Sequence, residues 1–151
     1  MIEIVEIAYQ DTFSVRHPVL REGKPIESCF FDGDDLKTTV HFGLFVDKKI
    51  VGVVSVYKNK NVNFKAVNPL QIRGMAVLNE FQKKGFGELL MLHCEKYILN
   101  QKGDYIWLNA RELAVGFYKK LDYTVIGNSF LIIDVGLHFL MYKKIGASAY
   151  E

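Results

Sequence analysis

The chain predicts an α/β protein built on one mixed sheet, and three stretches carry that prediction. Residues 40–46 and 50–57 are apolar β-runs joined at Asp47-Lys48-Lys49, which reads as a hairpin. Residues 70–78 form an extended apolar segment that passes through a glycine-containing turn into an amphipathic helix. Beyond that helix, strand-like and helix-like segments alternate, the pattern of a sheet with helices laid on it.

Taken in order, residues 2–8 alternate like a strand. Residues 10–21 read as a short helix, kinked or split at Pro18, which has no N–H to give. Residues 21–37 hold Gly23, Pro25 and the cluster Asp32-Gly33-Asp34-Asp35, so they form a long loop, and long loops in compact domains are often functional. After the hairpin and the strand 70–78 comes a helix over 85–101, where Leu89, Leu90, Leu92, His93, Tyr97 and Ile98 recur at helical spacing. A strand at 104–110, a helix at 112–121, and strands near 123–133 and 138–144 complete the chain.

Bulk properties bound the function. With 151 residues, half of them hydrophobic, the chain can bury one good core, and a single domain over 1–151 is the simplest organisation. The longest apolar run, residues 50–57, is strand length and far short of a membrane span. The first residues lack the basic start and apolar core of a signal peptide. Cys29 and Cys94 are too few and too scattered for a disulfide framework or a metal site, so the expected setting is cytoplasmic and no metal is expected. A net charge of +2 gives no support to a nucleic-acid partner. The Asp32–Asp35 cluster lacks the glycine and terminal glutamate of a calcium loop; attraction of a cationic substrate and plain turn chemistry explain it equally well. His93 and Cys94 are explained by the apolar helix face.

The chemistry is concentrated in Gln82, Lys83, Lys84, Gly85, Phe86 and Gly87. A strand that enters a helix through such a turn leaves backbone N–H groups unpaired, and the helix dipole adds positive potential to them. Lys83 and Lys84 add charge, and a diphosphate is the natural guest. No Gly-Lys-Ser/Thr follows, so the stretch is not a P-loop. The third glycine of the dinucleotide and kinase loops is also absent. The remaining pattern, Gln-x-x-Gly-x-Gly after an apolar strand, resembles the coenzyme A pyrophosphate loop of the GNAT superfamily of N-acetyltransferases. Arg73-Gly74-Met75-Ala76-Val77 resembles that family's fourth strand. Ala114 with Phe117-Tyr118-Lys119-Lys120-Leu121-Asp122-Tyr123 resembles its "A…FYxKxGF" helix, and the likeness covers roughly residues 40–144.

The resemblance implies a mostly antiparallel, twisted sheet, splayed between strands 4 and 5 and flanked by helices. It implies acetyl-CoA as co-substrate and direct transfer of the acetyl group to a primary amine of a small molecule or peptide. Gln82 to Gly87 would hold the pyrophosphate. Met75, Ala76 and Val77 would run beside the pantetheine arm, with the Val77 N–H bonding the thioester carbonyl. Gly74 would mark the bulge that opens the strand. Asn109, at a strand end, stands in for the family's asparagine, whose place Arg111 takes. Glu88 replaces a common hydroxyl residue, and Asp122 a glycine. Tyr118 would be the general acid, since a phenol with a pKa of about 10 stays protonated at neutral pH and can donate to a departing thiolate. The alternative for Tyr118 is a core tyrosine.

The general base stays open among Glu27, Glu112, His138 and a water chain. A lone histidine in an apolar strand, as His138 is, is more often structural. Arg73 with Arg21 forms a candidate clamp for an acceptor carboxylate, against the alternative of a solvated surface. The exposed late strands allow a homodimer. Two other classes compete: a non-catalytic acyl-CoA sensor, separated by turnover, and a nucleotide-binding domain, separated by ATP competition.

Overall fold

The computed structural model describes residues 1–146. Strands β1 (Ile2–Ile7), β2 (Val40–Val46), β3 (Lys49–Tyr57), β4 (Pro69–Val77), β5 (Tyr105–Arg111), β6 (Thr124–Val125), β7 (Phe130–Ile132) and β8 (Gly136–Lys144) form one sheet. Their order is β1-β2-β3-β4-β5-β8-β6, with β7 paired to β8. The sheet is mixed: β4 and β5 run parallel, whereas β1–β2, β2–β3, β5–β8, β6–β8 and β7–β8 are antiparallel. Helices α1 (Phe13–Leu20), α2 (Phe86–Asn100) and α3 (Val115–Lys120) complete the α/β arrangement that the sequence predicts. Among the described residues no helix is long and apolar enough to cross a membrane.

Several boundaries differ from the sequence expectation, each for a local reason. The first helical stretch does not split at Pro18, which lies inside α1. It splits earlier, where the Thr12 hydroxyl donates to the Tyr9 carbonyl at 2.5 Å and closes a 3-10 turn over Tyr9–Thr12. The expected helix at 112–121 likewise opens with a 3-10 turn, Glu112–Ala114. The single strand expected near 123–133 is two short pieces, β6 and β7, interrupted where Gly127 takes φ +77°. On α2 the buried face is Phe86, Leu90, Met91, Cys94 and Ile98, while Leu89 and Leu92 are exposed.

The contacts divide the chain into two compact units. The first comprises Met1–Lys58 and Ile72–Tyr97. Here β3 is buried on both faces, which suits its valine-rich run. Val53 packs with Val15 of α1 and Ala76 of β4, and Ile7, Val19, Leu20, Ile50 and Leu78 close around them. The neighbouring Gly52 points the other way, where a Cβ would lie 2.9 Å from Leu90 of α2. On that side Phe42 stacks edge-on against His93 and Tyr97. This contact explains His93 without a metal.

The second unit comprises Asn59–Gln71 and the residues from Ile98 on. Its centre is the antiparallel pair β5–β8, seven residues in register from Tyr105↔Lys144 to Arg111↔His138. The segment before β4 is tied down by side chains. Asp104 accepts the N–H groups of Val67 and Asn68 at 2.7 and 3.0 Å, and Trp107 Nε1 donates to the Asn59 carbonyl at 2.9 Å.

Candidate active site

The loop that ends β4 is braced from both sides. The Leu78 N–H donates to the Val51 carbonyl at 2.8 Å, and a 3-10 turn over Asn79–Phe81 follows. Gln82 Nε2 then reaches back to the Val77 carbonyl at 2.8 Å and to Asn79 Oδ1 at 3.1 Å, so its side chain serves the loop's own geometry. Lys83 and Gly85 both adopt left-handed backbone, φ +62° and +83°. Glycine takes this conformation without strain; lysine does so at a cost that the loop absorbs. Nothing stands within 4 Å of where a Gly85 Cβ would be. The first helical bond of α2 runs from the Leu89 N–H to the Gly85 carbonyl, 3.1 Å, which leaves the N–H groups of Phe86, Gly87 and Glu88 ahead of the ladder. Phe86 is buried and fixes the helix start, while Lys83 and Lys84 are exposed.

Upstream, the parallel register of β4 with β5 is short. It comprises Pro69↔Tyr105, Leu70↔Ile106 and Gln71↔Trp107, although β4 continues to Val77. Gly74 has φ +67°, the irregularity its sequence position suggested. A side chain there would also collide: a Cβ would come within 3.2 Å of Arg16 Nε and of the Phe31 ring. Met75 is half-buried, and Ala76 and Val77 are buried.

Packed behind this stretch is a buried polar network that the sequence reading missed. Arg16 and Asp34 form a fully buried ion pair, with Nη1 at 2.6 Å from Oδ2 and Nη2 at 3.2 Å from Oδ1. Asp34 also accepts the Tyr57 hydroxyl and the Phe31 N–H. Arg16 Nη2 donates to Ser55 Oγ at 3.0 Å. Ser55 in turn lies 2.6 Å from His41 Nδ1, and His41 Nε2 lies 2.9 Å from the Asp34 carbonyl. These partners assign the tautomer: Nε2 carries the proton and Nδ1 accepts from the serine. Burial pushes the Asp34 carboxyl up, but the hydrogen bonds from Arg16, Tyr57 and Phe31 outweigh it and hold the carboxyl below its usual range. Burial also lowers His41 and, against the pull of Arg16, raises the Tyr57 phenol to about 12. The sequence signals were an arginine beside Val15 on an apolar helix, and His41, Ser55 and Tyr57 in apolar strands. Each is unremarkable alone.

Arg21 and Arg73, paired as a candidate clamp, do meet in the first unit. Their guanidinium carbons lie 4.8 and 5.3 Å from the Phe31 ring centroid. Arg73 Nη1 donates to the Asp32 carbonyl at 3.2 Å, and the group also lies 5.1 Å from the Tyr57 ring.

In the second unit, Tyr118 is buried in the first part of α3's closing motif. The Tyr123 N–H bonds the Tyr118 carbonyl at 3.1 Å and the Asp122 N–H bonds the Lys119 carbonyl at 3.1 Å. Asp122 itself has φ +72°, so it occupies a glycine's conformation and keeps the same helix exit. The Tyr118 ring packs edge-on to Phe117 and Tyr123. Asn109 is exposed on β5 and lines a cavity of about 360 Å³ with Asn61, Asn63, Asn128, Phe130 and Leu140. Three of those asparagines had no role in the sequence reading. His138 is buried, with Nδ1 donating to the Gly136 carbonyl at 2.8 Å and its ring near Phe130. Glu112, in this unit, and Glu27, in the first, are exposed. Among the described residues no His, Cys, Asp and Glu side chains gather as a metal site.

The family model of the acetyltransferase (GNAT) domain matches residues 34–145. The "Uncharacterized N-acetyltransferase YitI" of Bacillus subtilis (strain 168) is 30% identical over 148 residues, covering 98% of this chain and 99% of that protein. Among solved structures, an aminoglycoside 6'-N-acetyltransferase complexed with coenzyme A superposes with a TM-score of 0.75 at 14% identity, over 94% of this chain and 96% of that one. The ribosomal-protein-S18-alanine N-acetyltransferase of Escherichia coli gives 0.75 at 15%, over 97% and 95%.

Proposed function

The chain belongs to the GNAT acetyltransferase family and is an N-acetyltransferase; from that premise we propose that it moves an acetyl group from acetyl-CoA directly to a primary amine of a small molecule or peptide. The observation that carries the coenzyme assignment is the start of α2. Three backbone N–H groups precede the helical ladder there, behind left-handed Lys83 and Gly85, with an open approach beside Gly85. These are the donors a pyrophosphate needs, and Lys83 and Lys84 add charge.

The coenzyme supplies a thioester, an acetyl group already activated for transfer. The chain's residues do the rest. The backbone of Met75, Ala76 and Val77 aligns the arm, and the Val77 N–H donates to the carbonyl oxygen as it gains negative charge. The acceptor nitrogen bonds to the carbonyl carbon, the C–S bond breaks, and the Tyr118 hydroxyl gives its proton to the leaving sulfur. Asn109 orients polar atoms from β5. The amine's proton goes to a carboxylate or to water. Exposed Glu27 and Glu112 support that route better than His138, which is buried. The free, buried Cys29 and Cys94 are in keeping with a reducing, cytoplasmic setting. Leu131 and Ile133, exposed on and just after β7, support a homodimer along that edge.

The test is a free-thiol assay with acetyl-CoA against amino acids, peptides, polyamines and aminoglycosides. Amine-dependent thiol release is the expected result and names the acceptor class. Silence across the panel, with the coenzyme bound by calorimetry, would overturn the small-amine reading.

A further inference from the structure

Three guanidinium groups of the first unit converge on one ring. The guanidinium carbons of Arg16, Arg21 and Arg73 lie 4.0, 4.8 and 5.3 Å from the Phe31 centroid. They come from α1, from the residue that ends it, and from β4, so the cluster is made by the fold and not by a basic run of sequence. The buried carboxylate that reaches it, Asp34, is already committed. Its oxygens accept two bonds from Arg16, one from the Tyr57 hydroxyl and one from the Phe31 N–H. That set neutralises Arg16 and leaves Arg73 without an anion.

Arg73 makes no ion pair among the described residues. Its hydrogen bond is Nη1 to the Asp32 carbonyl at 3.2 Å, which leaves Nε and Nη2 as donors on a half-exposed side chain. A second observation points to the same place. Arg16 Nε is fully buried with no hydrogen-bond partner among the described residues, and it faces β4 at Gly74. A buried donor left without a hydrogen bond is costly. A planar guanidinium matches a carboxylate through two parallel N–H donors.

We propose that Arg73, held on Phe31, binds a carboxylate of the acceptor, so that the acceptor is an amino carboxylate. The proposal rests on the transferase reading and narrows it. Arg73 lies on the same strand as Val77, so a carboxylate held there is tethered to the strand that would carry the carbonyl donor. Cationic acceptors such as polyamines would meet like charge at this point.

The experiment pairs each of the amino acids with its primary carboxamide in the thiol-release assay, for the native protein, Arg73→Gln and Arg73→Lys. The expected result is at least about tenfold higher kcat/KM for the carboxylate, carried by KM, and a carboxylate-to-amide ratio that falls toward one in Arg73→Gln. Arg73→Lys, which keeps the charge but not the fork, should fall between them. Equal use of acid and amide by the native protein, or a ratio that Arg73→Gln leaves untouched, would overturn the carboxylate site while leaving the transferase intact. Should no acceptor release thiol, calorimetry with N-acetyl amino acids and their amides decides the site separately. Selective binding of the acids, lost in Arg73→Gln, supports it, and equal or absent binding overturns it.

Discussion

Tyr118 shows how one residue is prepared by its surroundings. Its carbonyl accepts from both Leu121 and Tyr123, and its ring is wedged against Phe117 and Tyr123, so the side chain has little freedom. If its hydroxyl protonates the leaving thiolate, Tyr118→Phe keeps the packing and removes the proton. Turnover should then fall about 10²-fold or more with coenzyme affinity unchanged, measured by steady-state kinetics beside calorimetry. The motif around Tyr118 was legible in the sequence because it is contiguous. Asp34 was not. In the sequence it is one of three aspartates in a turn, and it does close that turn with Phe31. Its pairing with Arg16, eighteen positions away, and with Tyr57 is invisible until the chain folds.

At the level of elements, α2 depends on the junctions at its two ends. At its start, Gly87 stands in the first turn, where side-chain bulk and negative charge would oppose a pyrophosphate. Gly87→Glu should raise the coenzyme's dissociation constant at least about 10²-fold, about 3 kcal/mol, by calorimetry. At its end, the Gly103 N–H bonds the Ile98 carbonyl at 2.9 Å and Lys102 takes φ +61°, which turns the chain toward β5. A Cβ on Gly103 would lie 2.4 Å from Ile98 Cγ2 and 3.1 Å from the Ile98 carbonyl oxygen. Ile98 is fully buried and β-branched, so neither contact can give way. Gly103→Ala should destabilise the protein by about 1–3 kcal/mol in urea unfolding. The existence of α2 was readable from its spacing. Which leucines are inside was not, because Leu89 and Leu90 offer overlapping faces and only the position of β3 chooses between them.

For the whole molecule, the buried network makes stability depend on pH in a defined direction. His41 and His93 fold with pKa values below the ordinary 6.5, both chiefly through burial, and Asp34 folds below 3.8. In each case the unfolded chain takes its proton first, so stability rises with pH. The histidine contribution is complete above pH 6.5 and is lost as pH falls through the lower folded values; the Asp34 contribution is lost on acidification below 3.8. Thermal midpoints should therefore be level from about pH 7 to about pH 8, decline below 6.5 and decline again below 3.8, and also decline above about pH 9, where burial holds the Tyr57 phenol and the Cys94 thiol protonated in the fold. A midpoint unchanged between pH 7 and pH 5 would contradict the histidine part. By itself the sequence determined what short-range order encodes: the strand and helix types, the glycine loop before α2, the α3 motif with Tyr118, and through them the family. Tertiary structure alone decided the Arg16–Asp34–Tyr57 network, the arginines gathered on Phe31, and the asparagine-lined cavity. Those depend on residues far apart in the chain meeting across strands and helices, and a sequence pattern records spacing along the backbone, whereas hydrogen bonding and burial depend on distance through space.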